Sequence, residues 1–510
     1  MQTSLTGVFL LSFAGALLAF LFIAGMIIIL FKPITQSLLA LFMKRLMSER
    51  YPANIWEMVT ALTRTSPIKV IENSLRAASG AIIERPFGSP RKFLNFDGLT
   101  FVPAQLAVLP AHEEEDVELR VTIGPKAKKP LTLDIPILAG AIGYGIGVSE
   151  KVKIALAKGT AAVGTATNTG EGGFLPEDRH HAKFLIIQYS SGHWSKEPSI
   201  LRQADAIEIH IGQGATVGAA SIIPPEFMQG KARDIMKVKP GELVVIPSRH
   251  KEINHPQDLA PLVEQLRGTT GGVPIGVKIC ASARMEADLE VAIQARVDFI
   301  SIDGSQAGTK GGPPILEDDF GLPTLFALSR AVRYLKKRGV KEQISLLIGG
   351  GFSNPGECLK ALALGADGVY MGTSLLWAMT HDQVTKAIPW EPPTQLTFYP
   401  GSLVDQFDEN KAAQHLQNFF TSFVEEIKLA IRAMGKDNLQ AVDTNDLASL
   451  DKWTSQVTGV PLASEPYDPG PVWDPDGAGP SDTASTSAQF PVRDAPAPKG
   501  KNWFEYLKKK

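Results

Sequence analysis

Cysteine is almost missing from this sequence: only Cys280 and Cys358 occur, 78 positions apart. Two thiols so separated exclude a disulfide framework, a CxxC pair and an iron–sulfur cluster held by cysteines of one chain. They read as small core residues of a protein in a reducing compartment. An excess of either charge is missing too, with 51 Lys and Arg against 53 Asp and Glu, so there is no electrostatic footprint for nucleic acid. The βα region lacks an early G-x-G-x-x-G, the fingerprint of a dinucleotide fold. No charge precedes Val8, so the basic start of a cleavable signal peptide is lacking as well.

What is present begins with a long apolar run. Val8 to Phe31, VFLLSFAGALLAFLFIAGMIIILF, carries no charge over 24 residues, and roughly 20 suffice to span a bilayer. Lys32, Lys44, Arg45 and Arg50 all follow it, and the positive-inside tendency then puts the rest of the chain in the cytoplasm, as a single-pass membrane protein. From Pro33 to about Ser66 the pattern is amphipathic, which suits helices near a membrane surface or packed on a domain. From Pro461 to Gly500, Pro, Ser, Asp, Gly and Ala dominate, and such a tail cannot offset its ordering entropy. The final KNWFEYLKKK interleaves aromatics with lysines, a solvated terminus by default and a composition able to touch anionic lipid.

Between these ends one theme recurs, a short apolar run followed by a helix-forming segment. Eight such runs occur: LDIPILAGA, AAVGTATN, KFLIIQYS, AIEIHIG, PIGVKIC, DFISIDG, ISLLIGGG and DGVYMGT. Eight βα units predict an α/β fold, a (β/α)8 TIM barrel, with an N-terminal transmembrane helix and a disordered C-terminal tail. A doubly wound open sheet is the competing arrangement, because strand order is not readable from one sequence. The expected divisions are an anchor at 1–31, juxtamembrane helices and an N-terminal extension at 32–130, the barrel at 131–440, an extension at 441–460 and the tail at 461–510.

Nearly every run ends in a glycine-rich stretch, and in a barrel these ends share one rim, where backbone N–H groups can meet a ligand. Gly349, Gly350 and Gly351 after the seventh run, and Gly372, Thr373 and Ser374 after the eighth, suit a phosphate dianion. Lys278 closes the apolar PIGVKIC, so an anion must face it, Asp303 being one candidate. The stretch NTGEGGFLPEDRHH mixes glycines, carboxylates and two histidines. Adjacent His180 and His181 cannot share the i, i+4 face of helical metal motifs, so with Glu177 and Asp178 they read as a solvated helix start, and no metal site is expected. His210 reads as a core or supporting histidine.

TNTGEGG, the GQGA after the fourth run, Lys278, DGSQAGTKGGPP, the glycine triplet and MGTS together resemble the FMN-binding barrel of glutamate synthases. RPFGSPRKF, FVPAQLA and ATNTGEGGFLPE are similar to the membrane-anchored proteins of the FMN-binding glutamate synthase family. The resemblance implies FMN, its phosphate on Gly350, Gly351, Gly372, Thr373 and Ser374. Around the isoalloxazine it implies Ala139, Gly140, Ala141, Asn168, Gln188, Gln213 and Lys278, with Asp303 and Gly304. Glu171 then falls in the 2-oxoglutarate pocket and, with Lys278, is a candidate catalytic residue. The implied chemistry is hydride transfer from reduced FMN to 2-iminoglutarate, giving L-glutamate, a reaction on CH–NH2 compounds.

Three departures accompany the resemblance. A glutaminase domain and the three-iron cluster's cysteines are not found, so nitrogen and electrons are expected from elsewhere, the electrons through an unidentified donor or acceptor. Where glutamate synthases place a lysine and a glutamine that bind 2-oxoglutarate, this chain has Thr216 and Ile222, which shifts the expected substrate unless Arg233, Arg249 or Lys310 compensates. The alternatives are a membrane-linked FMN dehydrogenase of another small substrate that passes electrons to quinone or a partner, and a non-catalytic membrane-tethered barrel.

Overall fold

The computed structural model describes residues 5–466. The chain divides into two compact units, Met1–Glu84 and Arg85–Lys510. The expected tail and the terminal KNWFEYLKKK lie, apart from residues 461–466, outside the described residues.

The first unit is helical. Leu5–Ser48 forms one helix with Pro33 inside it, so LLALFMKRLM continues the apolar run rather than starting a new element. It is the one helix among the described residues long and apolar enough to cross a membrane. Two short helices follow, Trp56–Arg64 and Pro67–Ser79, the second ended by Gly80 in the left-handed conformation. Neither buries a residue, and Trp56, Met58, Leu62, Val70 and Ile71 are exposed.

The second unit is built on eight parallel strands: β1 Ile137–Ala139, β2 Ala166–Asn168, β3 Phe184–Tyr189, β4 Ala206–His210, β5 Ile275–Cys280, β6 Phe299–Asp303, β7 Ser345–Gly349 and β8 Gly368–Met371. Around the sheet the order is β1-β8-β7-β6-β5-β4-β3-β2, every neighbour parallel. A parallel bridge from Ala141 to Asn168 joins β2 to the end of β1 and closes the ring. Chain order followed around a closed ring is the TIM barrel; the open sheet needs a reversal that is not there.

These strands are buried on both faces and so lack polar alternation, β4 to β7 having no exposed position. Two boundaries differ from the sequence reading. Leu131–Leu133 pairs antiparallel with Val121–Ile123 ahead of β1, and AAVGTATN begins inside the helix Glu150–Ala162. Alanine and glycine at its start allow either state, and packing on the barrel decides. The helices that follow are amphipathic where expected: Thr324–Lys337 buries Leu325, Leu328, Ala331, Val332 and Leu335, at helical spacing. Downstream, Leu447–Ser449 pairs antiparallel with Leu99–Phe101, joining the segments before and after the barrel.

Candidate active site

The strand C-termini form one rim, and its loops carry most of the residues singled out above. The loops after β1 and β2 meet backbone to backbone. A Cβ on Gly170, whose φ is +64°, would lie 2.4 Å from the Gly143 nitrogen, and one on Gly172 would lie 2.3 Å from the Tyr144 oxygen. Gly170 and Gly172 therefore let two loops touch, while Gly173 packs against the Ile235 side chain. The rest of that stretch, Pro176–His181, is a short helix. Its Asp178 is buried against Lys153, Nζ to Oδ2 at 3.0 Å, and Lys153 also donates to the Asn168 carbonyl at 2.7 Å. Burial holds the Asp178 carboxyl above its ordinary value, with Lys153 opposing. Among the described residues no cluster of three or more His, Cys, Asp or Glu is arranged to hold a metal, and the His180 and His181 rings only touch edge to edge.

Inside the barrel sits a group that the sequence reading passed over. Glu208 on β4 is fully buried and takes four hydrogen bonds from four other strands. Asn168 Nδ2 and Gln188 Nε2 donate to Oε1 at 3.0 and 2.8 Å, and Ser301 Oγ and the Tyr370 hydroxyl donate to Oε2 at 2.7 and 3.2 Å. A buried carboxylate needs such a full set of donors. Asn168 and Gln188 are thereby turned toward the barrel axis, and Gln188 keeps an unpartnered carbonyl oxygen. A glutamate at the inward centre of the otherwise apolar AIEIHIG is the only sequence signal.

Above this network lies Lys278, Nζ 3.0 Å from Asp303 Oδ2 and 5.7 Å from the centre of the Tyr370 ring. Burial opposes its charge, but the carboxylates of Asp303, Glu208 and Glu171 override that and raise its pKa. Cys280, two residues on, is inert, burial pushing its thiol up to about 12. Cys358 is buried on a helix.

On the β7–β8 side the rim is open and donor-rich. Gly350 and Gly351 have φ of +121° and +80°, and a Cβ placed on Gly372 meets nothing within 4 Å. Ser374 Oγ ties the two loops together by donating to the Phe352 carbonyl at 2.8 Å. Gly372 precedes the helix Thr373–Thr380, and the N–H groups of Gly351, Gly372, Thr373 and Ser374 donate to no other group among the described residues. Free N–H groups at a helix start with open space beside them fit a phosphate dianion. Gly304 is spent differently, on close contact with Thr324, while Ala139 is buried, Gly140 donates to the Met371 carbonyl at 2.7 Å, and Gln213 is half-buried on the loop after β4.

On the opposite side a small cavity of about 90 Å³ opens beside β4, lined by Glu171, His210, Thr216, Arg249 and His250 with apolar Ile211, Ile246 and Ile253. Glu171 Oε1 lies 2.8 Å from His210 Nδ1. Burial alone would raise the Glu171 carboxyl, but His210 beside it and the charge of Lys278 hold it below its ordinary value. His210 thus lines this cavity beside Glu171. Of the two positions that depart from glutamate synthases, Thr216 lines this cavity, whereas Ile222 sits exposed on the strand Ser221–Ile223. Of the three possible cations only Arg249 reaches it. Arg233 is buried and spends its guanidinium on the carbonyls of Met228, Lys239, Glu242 and Pro225, and Lys310 donates to the Tyr399 carbonyl.

The fold and this rim define a (β/α)8-barrel protein with free backbone donors on its β7–β8 loops and a separate polar cavity on one face. The conserved region of glutamate synthase matches residues 92–437, and the chain belongs to the glutamate synthase family. It is 31% identical over 413 residues to a glutamate synthase large subunit-like protein of Rhizobium meliloti (strain 1021), covering 77% of this chain and 93% of that one. It is 30% identical over 360 residues to the archaeal glutamate synthase [NADPH] of Archaeoglobus fulgidus, covering 69% of each. Among solved structures, the flavin-binding domain of baker's yeast flavocytochrome b2 aligns with TM-score 0.45 and 14% identity over 73% of this chain and 80% of its own.

Proposed function

We propose that this chain is an FMN-dependent oxidoreductase acting on an imino or amino acid, with 2-iminoglutarate and L-glutamate the pair implied by its family. The observation that carries this reading is the presence, on one barrel rim, of a free-donor cradle at Gly351, Gly372, Thr373 and Ser374 and of the cavity holding Glu171 and His210.

Gly350, Gly351, Gly372, Thr373 and Ser374 hold the FMN phosphate, with helix-start N–H groups and the Thr373 hydroxyl as donors. Ala139, Gly140, Ala141, Asn168, Gln188, Gln213, Asp303 and Gly304 border the ring system. Bound FMN supplies the acceptor or donor of a hydride. Lys278, positively charged and buried, stabilises negative charge beside it. Glu171 and His210 present a polar, proton-handling group to the substrate, and their low exposure limits competing water, with 14% and 8% of their side chains open to solvent.

The helix Leu5–Ser48 favours a second reading of the electron route, in which the barrel is held on the cytoplasmic face of a membrane and exchanges electrons with quinone. Absorption spectra of the detergent-solubilised protein test both. A flavin spectrum that 2-oxoglutarate plus ammonia, or an amino acid, shifts between its oxidised and reduced forms supports the oxidoreductase. Reoxidation by added quinone with no response to NADPH selects the membrane route. A protein that stays colourless when FMN is added overturns the reading and leaves a tethered, non-catalytic barrel.

A further inference from the structure

Two ring nitrogens without a hydrogen bond among the described residues lie buried in the side chains that line the cavity beside β4. Glu171, ionised, accepts a hydrogen bond at 2.8 Å from His210 Nδ1, so in the neutral imidazole the proton sits on Nδ1 and Nε2 carries a lone pair. That Nε2 is buried and has no partner. His250 donates from Nε2 to the His210 carbonyl at 2.7 Å, and its own Nδ1 makes no hydrogen bond among the described residues, Glu252 Oε2 lying 3.9 Å away. His210 and His250 are 8% and 3% exposed, so neither nitrogen is satisfied by bulk water. At the mouth stands Arg249, whose guanidinium pairs with nothing among the described residues. Ile211, Ile246, Pro247 and Ile253 supply apolar wall, and no second cation lines the cavity.

We propose that this cavity takes the α-amino and α-carboxylate groups of an amino acid with an uncharged side chain, Arg249 binding the carboxylate and His210 Nε2 accepting the amine proton. This rests on the oxidoreductase reading above and narrows its substrate. A guanidinium matches a carboxylate's two oxygens. An ammonium is drawn to the Glu171 carboxylate and donates to the His210 lone pair behind which that carboxylate stands. A second carboxylate, as in glutamate, finds neither a free cation nor a site away from Glu171. Glu171 is then a positioning residue: it fixes the imidazole tautomer and stabilises the imidazolium.

The step balances. In oxidation a hydride leaves Cα for the flavin and one ammonium proton passes to His210 Nε2. The carbon–nitrogen bond becomes double, giving an iminium and a two-electron-reduced flavin. In the reverse direction hydride reaches carbon and His210 returns the proton to nitrogen.

The test uses the full chain in detergent with FMN added and L-valine and L-glutamate as probes. L-valine is expected to bind by calorimetry and to bleach the flavin. Arg249→Ala is expected to weaken L-valine binding at least ~10-fold, and Arg249→Lys to restore part of it. His210→Asn is expected to lower kcat ~100-fold or more while L-valine still binds. Glu171→Gln is expected to lower kcat by more than it weakens L-valine binding, and Glu171→Asp to restore part of it. Bleaching by L-glutamate but not L-valine, unchanged in Arg249→Ala, overturns the proposal and leaves the oxidoreductase reading standing. Absence of bound flavin, or no redox response to any amino or imino acid, overturns both.

Discussion

Lys278 Nζ lies 3.0 Å from Asp303 Oδ2 across the neighbouring strands β5 and β6, with both side chains nearly closed to solvent. The pair makes an ammonium tolerable at a place where burial would expel it, and it does so on the rim where the flavin is proposed. Asp303→Asn leaves that charge without its strongest partner. Loss of about 3–5 kcal/mol of stability is expected, read as a fall in the chemical-denaturation midpoint. Lys278→Met combined with Asp303→Leu is expected to recover most of it, since removing both charges removes the desolvation cost.

Gly372 offers a contrast, because space beside it is open and its φ is not left-handed. Gly372→Leu is therefore expected to cost no more than about 1–3 kcal/mol of stability, the strain of its backbone angles rather than a clash. FMN binding, followed by quenching of flavin fluorescence, is expected to weaken at least ~10-fold, because the side chain fills the cradle in front of the helix start.

Gly170 and Gly339 share positive φ, +64° and +68°, but only Gly170 faces backbone. Gly339→Ala is expected to cost about 1–2 kcal/mol, the left-handed penalty alone. Gly170→Ala is expected to cost clearly more, since its Cβ would sit 2.4 Å from the Gly143 nitrogen and the loops after β1 and β2 must separate. Equal costs in thermal melts of the two variants sink the loop-contact account.

Glu171 predicts a pH dependence. Its folded pKa lies below the ordinary 4.5, held there by His210 and Lys278 against burial. The unfolded chain therefore binds more protons in this range, and stability rises with pH. The contribution of Glu171 is complete above 4.5 and lost as pH falls through the lower folded value. Denaturation midpoints measured downward from pH 6 are expected to fall less steeply in Glu171→Gln than in the parent.

The two compact units predict a separable attachment. The full chain is expected to sediment with membranes and to need detergent for release, while a chain starting at Arg85 is expected in the soluble fraction. Recovery of the full chain in the soluble fraction without detergent refutes the span.

The barrel was legible in the sequence because its signals are local. Eight apolar runs became eight strands, and the helices between them show the spacing of buried residues that their segments predict. The apolar span from Val8 to Phe31 was equally plain, although the helix runs on through Pro33 to Ser48. Lys278 in PIGVKIC demanded an anion on physical grounds alone, and Asp303 meets that demand.

What the tertiary structure alone decided are relationships between segments far apart in the chain. Ring closure turned Glu208 to the axis, where strands β2, β3, β6 and β8 reach it together. His210 meets a carboxylate only because the loop after β2 brings Glu171 within 2.8 Å of it. Arg233, Arg249 and Lys310 were equal candidates in sequence, and folding spent Arg233 on loop carbonyls, Lys310 on the Tyr399 carbonyl, and left Arg249 at the cavity. Periodicity reports which face of an element is buried, because burial repeats along the chain. It carries no information on which partner waits across a barrel, and that partner sets whether a buried charge, a glycine or a histidine serves the fold or the chemistry.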